Sequence, residues 1–277
     1  MTFATVMVSL ALNQPNDARL QVAGDLAERF KAGMIGVAAA EFTPPLYFTT
    51  GEQAQDLIDQ GEAALHTRLG ELEQQFRAVV GDRAAPLSWR STLDFPARYV
   101  LAQARAADIL VTGSVPPGIS DAFAIASPKD LVMQAGRPLL VVPDNVSWLD
   151  LGTVLVAWKE TPEARRAVAD ALPLLAKAKN VVVVEILENA SAYDACEARL
   201  HDVVAWLGRH GIVASTRVDE PGQGRNVAAK LDAIAADITA GLVVAGAYGH
   251  SRFRELVLGG VTENLVTRTE RCVLLSH

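Results

Sequence analysis

Short β-branched runs alternating with helical stretches, twice over, predict an α/β protein of two tandem doubly wound domains, each with a five-stranded parallel sheet. Three observations predict it. The apolar runs have strand length, the segments between them carry helical spacing, and the second half repeats the first. In that repeat Ile109-Leu110-Val111-Thr112-Gly113 falls on Leu242-Val243-Val244-Ala245-Gly246. The same offset carries Leu139-Leu140-Val141-Val142 onto Cys272-Val273-Leu274-Leu275 without a gap. Each half therefore closes with strand, loop, helix, strand.

The first sixteen residues carry no charge, but no Lys or Arg precedes their apolar core and no small-residue cleavage site follows it. Val6-Met7-Val8-Ser9-Leu10 is thus expected as a buried strand over 4–10, followed by a helix over 16–31 and a strand over 34–40. A long helix over 52–80 presents Leu57, Ile58, Ala64, Leu65, Leu69, Leu72 and Phe76 to the sheet. Strands over 86–92, 108–113 and 138–143 and helices over 95–106 and 125–135 complete the first half. The turn-forming stretch Pro143-Asp144-Asn145-Val146-Ser147-Trp148 is the natural linker, giving domains 1–145 and 146–277.

The second half reads as strands over 152–158, 180–187, 212–218, 241–246 and 271–276, with helices over 162–177, 190–210, 223–239 and 260–269. In helix 162–177, Ala164, Ala167, Val168, Ala171, Leu172 and Leu175 form the core stripe, and Glu163, Arg165, Arg166 and Asp170 are expected to face water. Thr161 can cap this helix, and Pro162 suits its first position.

Composition narrows the function classes. Of 277 residues, 50% are hydrophobic and 21% charged, as in an ordinary globular protein. Net charge is −7 and no lysine or arginine run occurs, so no electrostatic footprint for nucleic acid or an anionic membrane is present. No apolar stretch reaches transmembrane length. Two cysteines are too few for a disulfide framework, which makes the cytoplasm the default location.

The most informative motif lies near the end. Val243-Val244-Ala245 leads into Gly246, Gly249, Gly259 and Gly260, spaced G-x2-G-x9-G-G, and then into an amphipathic helix. Backbone amides approach an anion closely only where no Cβ intervenes, and a helix N-terminus adds donors and a positive dipole end. Such a pattern suits a nucleotide phosphate. It resembles the universal stress protein family, whose ATP-binding members carry G-x2-G-x9-G followed by Ser or Thr. Gly246, Gly249 and Gly259 match in register and Val261-Thr262 continue the pattern, while Gly260 replaces the hydroxyl residue.

That resemblance implies a sheet order 3-2-1-4-5, with a ligand crevice between the first and fourth strands. It implies ATP, ADP or AMP as cofactor, with or without Mg. Adenine would lie beside Ala157, Trp158 and Lys159 and near Ile186, and ribose and phosphates over Ala245, Gly246, Gly249, His250, Ser251, Arg252, Gly259, Gly260, Val261 and Thr262. Lys159 stands where ATP-binding members usually have Asp, followed by Gly and Ser where this chain has Glu160 and Thr161. An ammonium cannot accept from a ribose hydroxyl and favours phosphate or another anion. Trp158 reads as core packing ahead of a base platform. His250 and Ser251 read equally as phosphate contacts or solvated loop residues, and Arg252 and Arg254 as phosphate partners or loop charges.

In the first half Gly249 corresponds to Pro116, Gly259 to Ala126 and Gly260 to Ser127. Proline removes an amide donor, so no nucleotide is expected there through this motif. The resemblance further implies that the last strands of the two halves, Pro138 to Val142 and Arg271 to Leu275, pair about a pseudo-two-fold axis as an internal dimer. Homodimerisation of the whole chain stays open.

No catalytic constellation stands out: G-x-S-x-G, G-x4-G-K-[ST], H-E-x-x-H and C-x-x-C are all missing. Cys196, His201 and His210 make a poor metal set. The expectation is a cytoplasmic, adenine-nucleotide-binding stress-response module with its ligand in the C-terminal half and at most weak ATP hydrolysis. A slow ATP hydrolase or transferase and a scaffold without nucleotide are the alternatives.

Overall fold

The structure, a computed structural model, describes residues 2–43, 51–115, 121–187, 193–220, 226–247, 260–267 and 270–277, with backbone alone for 51–53. Within them the chain order is β1 (Thr5–Ser9), α1 (Asp17–Phe30), β2 (Gly33–Ala40), α2 (Gly51–Val80), β3 (Leu87–Leu93), α3 (Pro96–Gln103), β4 (Ile109–Gly113), α4 (Pro128–Gln134) and β5 (Leu139–Val142). The second half follows with β6 (Thr153–Ala157), α5 (Pro162–Leu175), β7 (Asn180–Ile186), α6 (Tyr193–Arg209), β8 (Ala214–Asp219), α7 (Val227–Asp237), β9 (Leu242–Gly246), α8 (Gly260–Thr267) and β10 (Cys272–Ser276). Every strand and helix that periodicity predicts is present.

One ten-stranded sheet runs β3-β2-β1-β4-β5-β10-β9-β6-β7-β8, which is the order 3-2-1-4-5 in each half. All neighbours pair parallel except β5 and β10, which are antiparallel with Leu140 opposite Leu274. The two halves thus join through their last strands, as an internal pseudo-two-fold pair requires. The sequence boundary at 146 falls between β5 and β6.

Both sheet faces are covered, so the central strands are apolar on both sides. On one face α1, α2, α5 and α6 pack over Val6, Val8, Val154, Val156 and Val183. On the other, α3, α4, α7 and α8 pack over Met7, Leu110, Leu155 and Val243. Helix α5 shows how local sequence sets its place. The Thr161 hydroxyl accepts from Ala164 N at 3.3 Å, Pro162 opens the first turn, and Ala164, Ala167, Val168, Ala171 and Leu172 are buried. The expected polar stripe differs at two positions. Arg165 and Arg166 are exposed, but Glu163 and Asp170 are half-buried, because α5 lies against the ends of β9 and β10. Burial raises the Asp170 carboxyl above its ordinary range.

Candidate functional site

Helix α5 leaves β6 toward one sheet face and α8 follows β9 on the other, so the carboxyl ends of β6 and β9 form a topological switch point. Ala157 pairs with Ala245 there, and Gly246 ends β9 one step further on. Ile186 closes β7 beside them, half-buried on the α7 and α8 face. Lys159 lies exposed just past β6, and its carbonyl accepts from Thr161 N at 2.7 Å.

Gly246 faces α5. A Cβ on it would stand 2.5 Å from Ala164 N and 2.9 Å from Glu163 Cβ, so this position needs glycine for a helix backbone to pass. Gly260 behaves differently: a Cβ there would meet nothing within 4 Å among the described residues, and it stands at the start of α8. Val261 is half-buried and Thr262 is buried. Gly249, His250, Ser251, Arg252, Arg254 and Gly259 lie outside the described residues, as does Pro116 in the first half.

Trp158 belongs to the core. Its N–H donates to Val184 O at 2.8 Å, and its ring packs among the residues under α5 and α6, on the face away from α8. Its indole Nε1 has no hydrogen-bond partner among the described residues.

Three groups that sequence reasoning did not assign lie at the end of β9 or the start of α8. Glu163, in the first turn of α5, has its Cβ against Gly246 and keeps Oε2 buried with no hydrogen bond among the described residues. His277 Nδ1 lies 3.0 Å from Ala247 O, while Ala247 N donates to Ser276 O at 2.8 Å, so the last residues brace the exit of β9. Lys129 of α4 pairs with Glu263 in the first turn of α8, which ties the first half to the helix carrying Gly260. None of the three carries a signal in the sequence, where Glu163 reads as one of the water-facing residues of α5.

Behind Trp158, Glu185 Oε1 accepts from Arg199 Nη2 at 2.6 Å, and Cys196 lies beside the same carboxylate. Burial, reinforced by Glu185, pushes the Cys196 thiol up to about 11, and burial pushes the Cys272 thiol to about 12. Both are inert thiols at neutral pH. No group of three metal-ligating side chains occurs among the described residues. His210 instead packs edge-on against Trp206, with ring centroids 4.5 Å apart.

In the first half the corresponding corner is built otherwise. Gly113 ends β4, and the residue facing it is Arg19 from the first turn of α1, where the second half has Ala164. Ala126 is buried, and Ser127 precedes α4 without a side-chain cap bond.

No protein-family model matches the chain, and neither does any curated protein. Solved structures do. A universal stress protein from Archaeoglobus fulgidus superposes with a TM-score of 0.66 at 16% identity, over 99% of this chain and 98% of that one. A functionally unknown protein from Pseudomonas aeruginosa PAO1 superposes with a TM-score of 0.56 at 16% identity, over 99% and 92% of the two chains. At such identities the likeness establishes architecture, and with the strand order repeated in each half the conclusion is that this chain has the universal stress protein fold in two tandem copies.

Proposed function

We propose that the C-terminal half binds one adenine nucleotide at the β6–β9 switch point and that the chain serves as a cytoplasmic stress-response regulatory module, with the first half as its fixed partner. The observation that carries this reading is the switch point itself, where Ala157 of β6 pairs with Ala245 of β9 and the helices that follow, α5 and α8, lie on opposite faces of the sheet. Amides at the start of α8 and the helix dipole suit a phosphate.

Glu163 answers the main departure of the sequence from its family. With Lys159 unable to accept from a ribose hydroxyl, Glu163, whose Cβ lies against Gly246 and whose Oε2 has no hydrogen-bond partner among the described residues, supplies an acceptor in this reading. Lys159 is then left to the phosphate end. These residues fit a nucleotide, and Gly246, Gly249, Gly259, Gly260, Val261 and Thr262 would carry ribose and phosphates as the family pattern implies. A Mg ion would ride on the phosphates, since the described residues offer no cluster of ligands for it.

Among the described residues no acid–base pair or activated nucleophile is assembled at this lip, and binding and release, with at most slow hydrolysis, is the chemistry assigned to it in this reading. Mass spectrometry of ligand released from freshly purified protein tests the reading. An adenine nucleotide is expected. Material that carries none and whose melting temperature no adenine nucleotide raises would favour the scaffold alternative.

A further inference from the structure

A second site emerges in the first half, where the family glycine pattern is missing. Arg19 is 3% exposed, yet among the described residues its guanidinium makes only two long hydrogen bonds, Nη1 to Ser9 O at 3.3 Å and Nη2 to Gln14 Oε1 at 3.4 Å. Its Nε has no partner, and no carboxylate lies within ion-pair distance of it among the described residues. Burial lowers this guanidinium to about 10, with Asp144 opposing from further off, so it is charged at neutral pH. A buried cation with so few partners is costly, and such groups normally meet an anion.

Gly113 gives way to the guanidinium, since a Cβ there would stand 2.0 Å from Nη2. Helix α1, 14 residues long, has no side-chain cap: Asn16 turns back, accepting from Ala11 N and donating to Ala11 O at 3.0 Å each. Its first amides therefore keep their positive end. In contrast α5, at the matching place in the second half, is capped by Thr161. An open cleft of about 480 Å³ lies against this loop, lined by Asn13, Gln14, Asn16, Arg68, Glu71 and Gln75 among others. Gln14 belongs both to the cleft and to Arg19. Arg68 Nη2 donates to Asn13 Oδ1 and so reaches from α2 to the β1–α1 loop, Glu71 also lines the cleft, and Asp17, held by Gln75 at 3.0 Å, is the acidic group nearest the helix start.

We propose that the cleft between the β1–α1 loop and α2 binds a small oxyanion of the phosphate class, which displaces the Gln14 side chain and pairs with Arg19. The planar guanidinium then offers Nη2 and Nε together, a geometry that matches phosphate oxygens. Arg68 meets the anion from the α2 side. This site uses none of the C-terminal residues and stands whether or not the second half binds nucleotide.

The test is a titration of inorganic phosphate into the full chain, followed by the Arg19 Nε–H resonance in nitrogen-15-labelled protein and by melting temperature. A saturable shift of that resonance with a rise in melting temperature is expected, with affinity several-fold weaker in Arg68→Gln and the Arg19-dependent rise lost in Arg19→Met. Titration with AMP identifies the source. A shift with phosphate alone assigns the site to the free ion, and a shift with both extends it to phosphate carried on a nucleoside. An unmoved Arg19 resonance with both probes overturns the proposal, as does an equal thermal response in Arg19→Met. Should Arg19→Met fail to fold, unchanged phosphate affinity in Arg68→Gln together with an unmoved Arg19 resonance overturns it as well.

Discussion

Gly113 and Gly246 occupy the same corner of the repeat and are glycine for different reasons. The approach to Gly246 is made by the α5 backbone, which cannot yield, whereas the approach to Gly113 is made by a side chain. Gly246→Ala is therefore expected to destabilise the protein by about 2–3 kcal/mol and Gly113→Ala by roughly 1 kcal/mol, as for other overpacked positions. Urea denaturation measures both, and the reverse ranking would contradict the packing account. Gly260 is the third case, with no described residue within 4 Å of where a Cβ would go. Gly260→Ser restores the hydroxyl of the family pattern, and calorimetry should find nucleotide bound several-fold more tightly. Replacing the carboxylate proposed for ribose by the weaker, uncharged amide acceptor, in Glu163→Gln, should weaken it.

Those same residues show what a sequence conveys and what it hides. The glycine spacing is a local pattern of which Gly246 and Gly260 lie among the described residues, and Trp158 was legible as core, since a large ring directly after an apolar strand usually packs. Glu163 read as solvent-facing because its place off the apolar stripe says nothing about a neighbouring strand end. Arg19 was silent for the same reason: burial of its guanidinium depends on Ser9, Gly113 and Gln14, which only the tertiary fold brings together.

At the scale of elements, the strands were legible because buried parallel strands are unbroken apolar runs, and the helices because one stripe faces the sheet. Their ends depend on caps. Helix α5 owes its start to Thr161, so Thr161→Ala should cost about 1 kcal/mol by denaturant titration. A loss near zero would mean that Pro162 and core contacts alone fix the helix. Helix α6 buries Cys196 against Glu185, and β10 buries Cys272. With both thiols pushed well above the ordinary cysteine range, neither should react with a disulfide reagent at pH 8 until the protein is unfolded. Rapid native-state modification of either would contradict the burial.

For the whole molecule the seam between β5 and β10 decides the architecture. It converts two five-stranded sheets into one and protects an edge that each half would otherwise expose. Fusion keeps that pairing intramolecular. Leu274, fully buried and opposite Leu140, is the sensitive position. Leu274→Asp would bury an unpaired carboxylate and should lower the melting temperature by roughly 10 °C. Across the same seam Lys129 pairs with Glu263 at the start of α8, so the half without the glycine motif touches the helix that carries it.

The most direct test of the central claim is calorimetric titration of ATP into the full chain in phosphate buffer, which keeps the Arg19 site filled. One nucleotide per chain, bound more tightly by Gly260→Ser and more weakly by Glu163→Gln, is the predicted result. Two nucleotides per chain, or no binding at all, would contradict a single nucleotide site at the β6–β9 crevice.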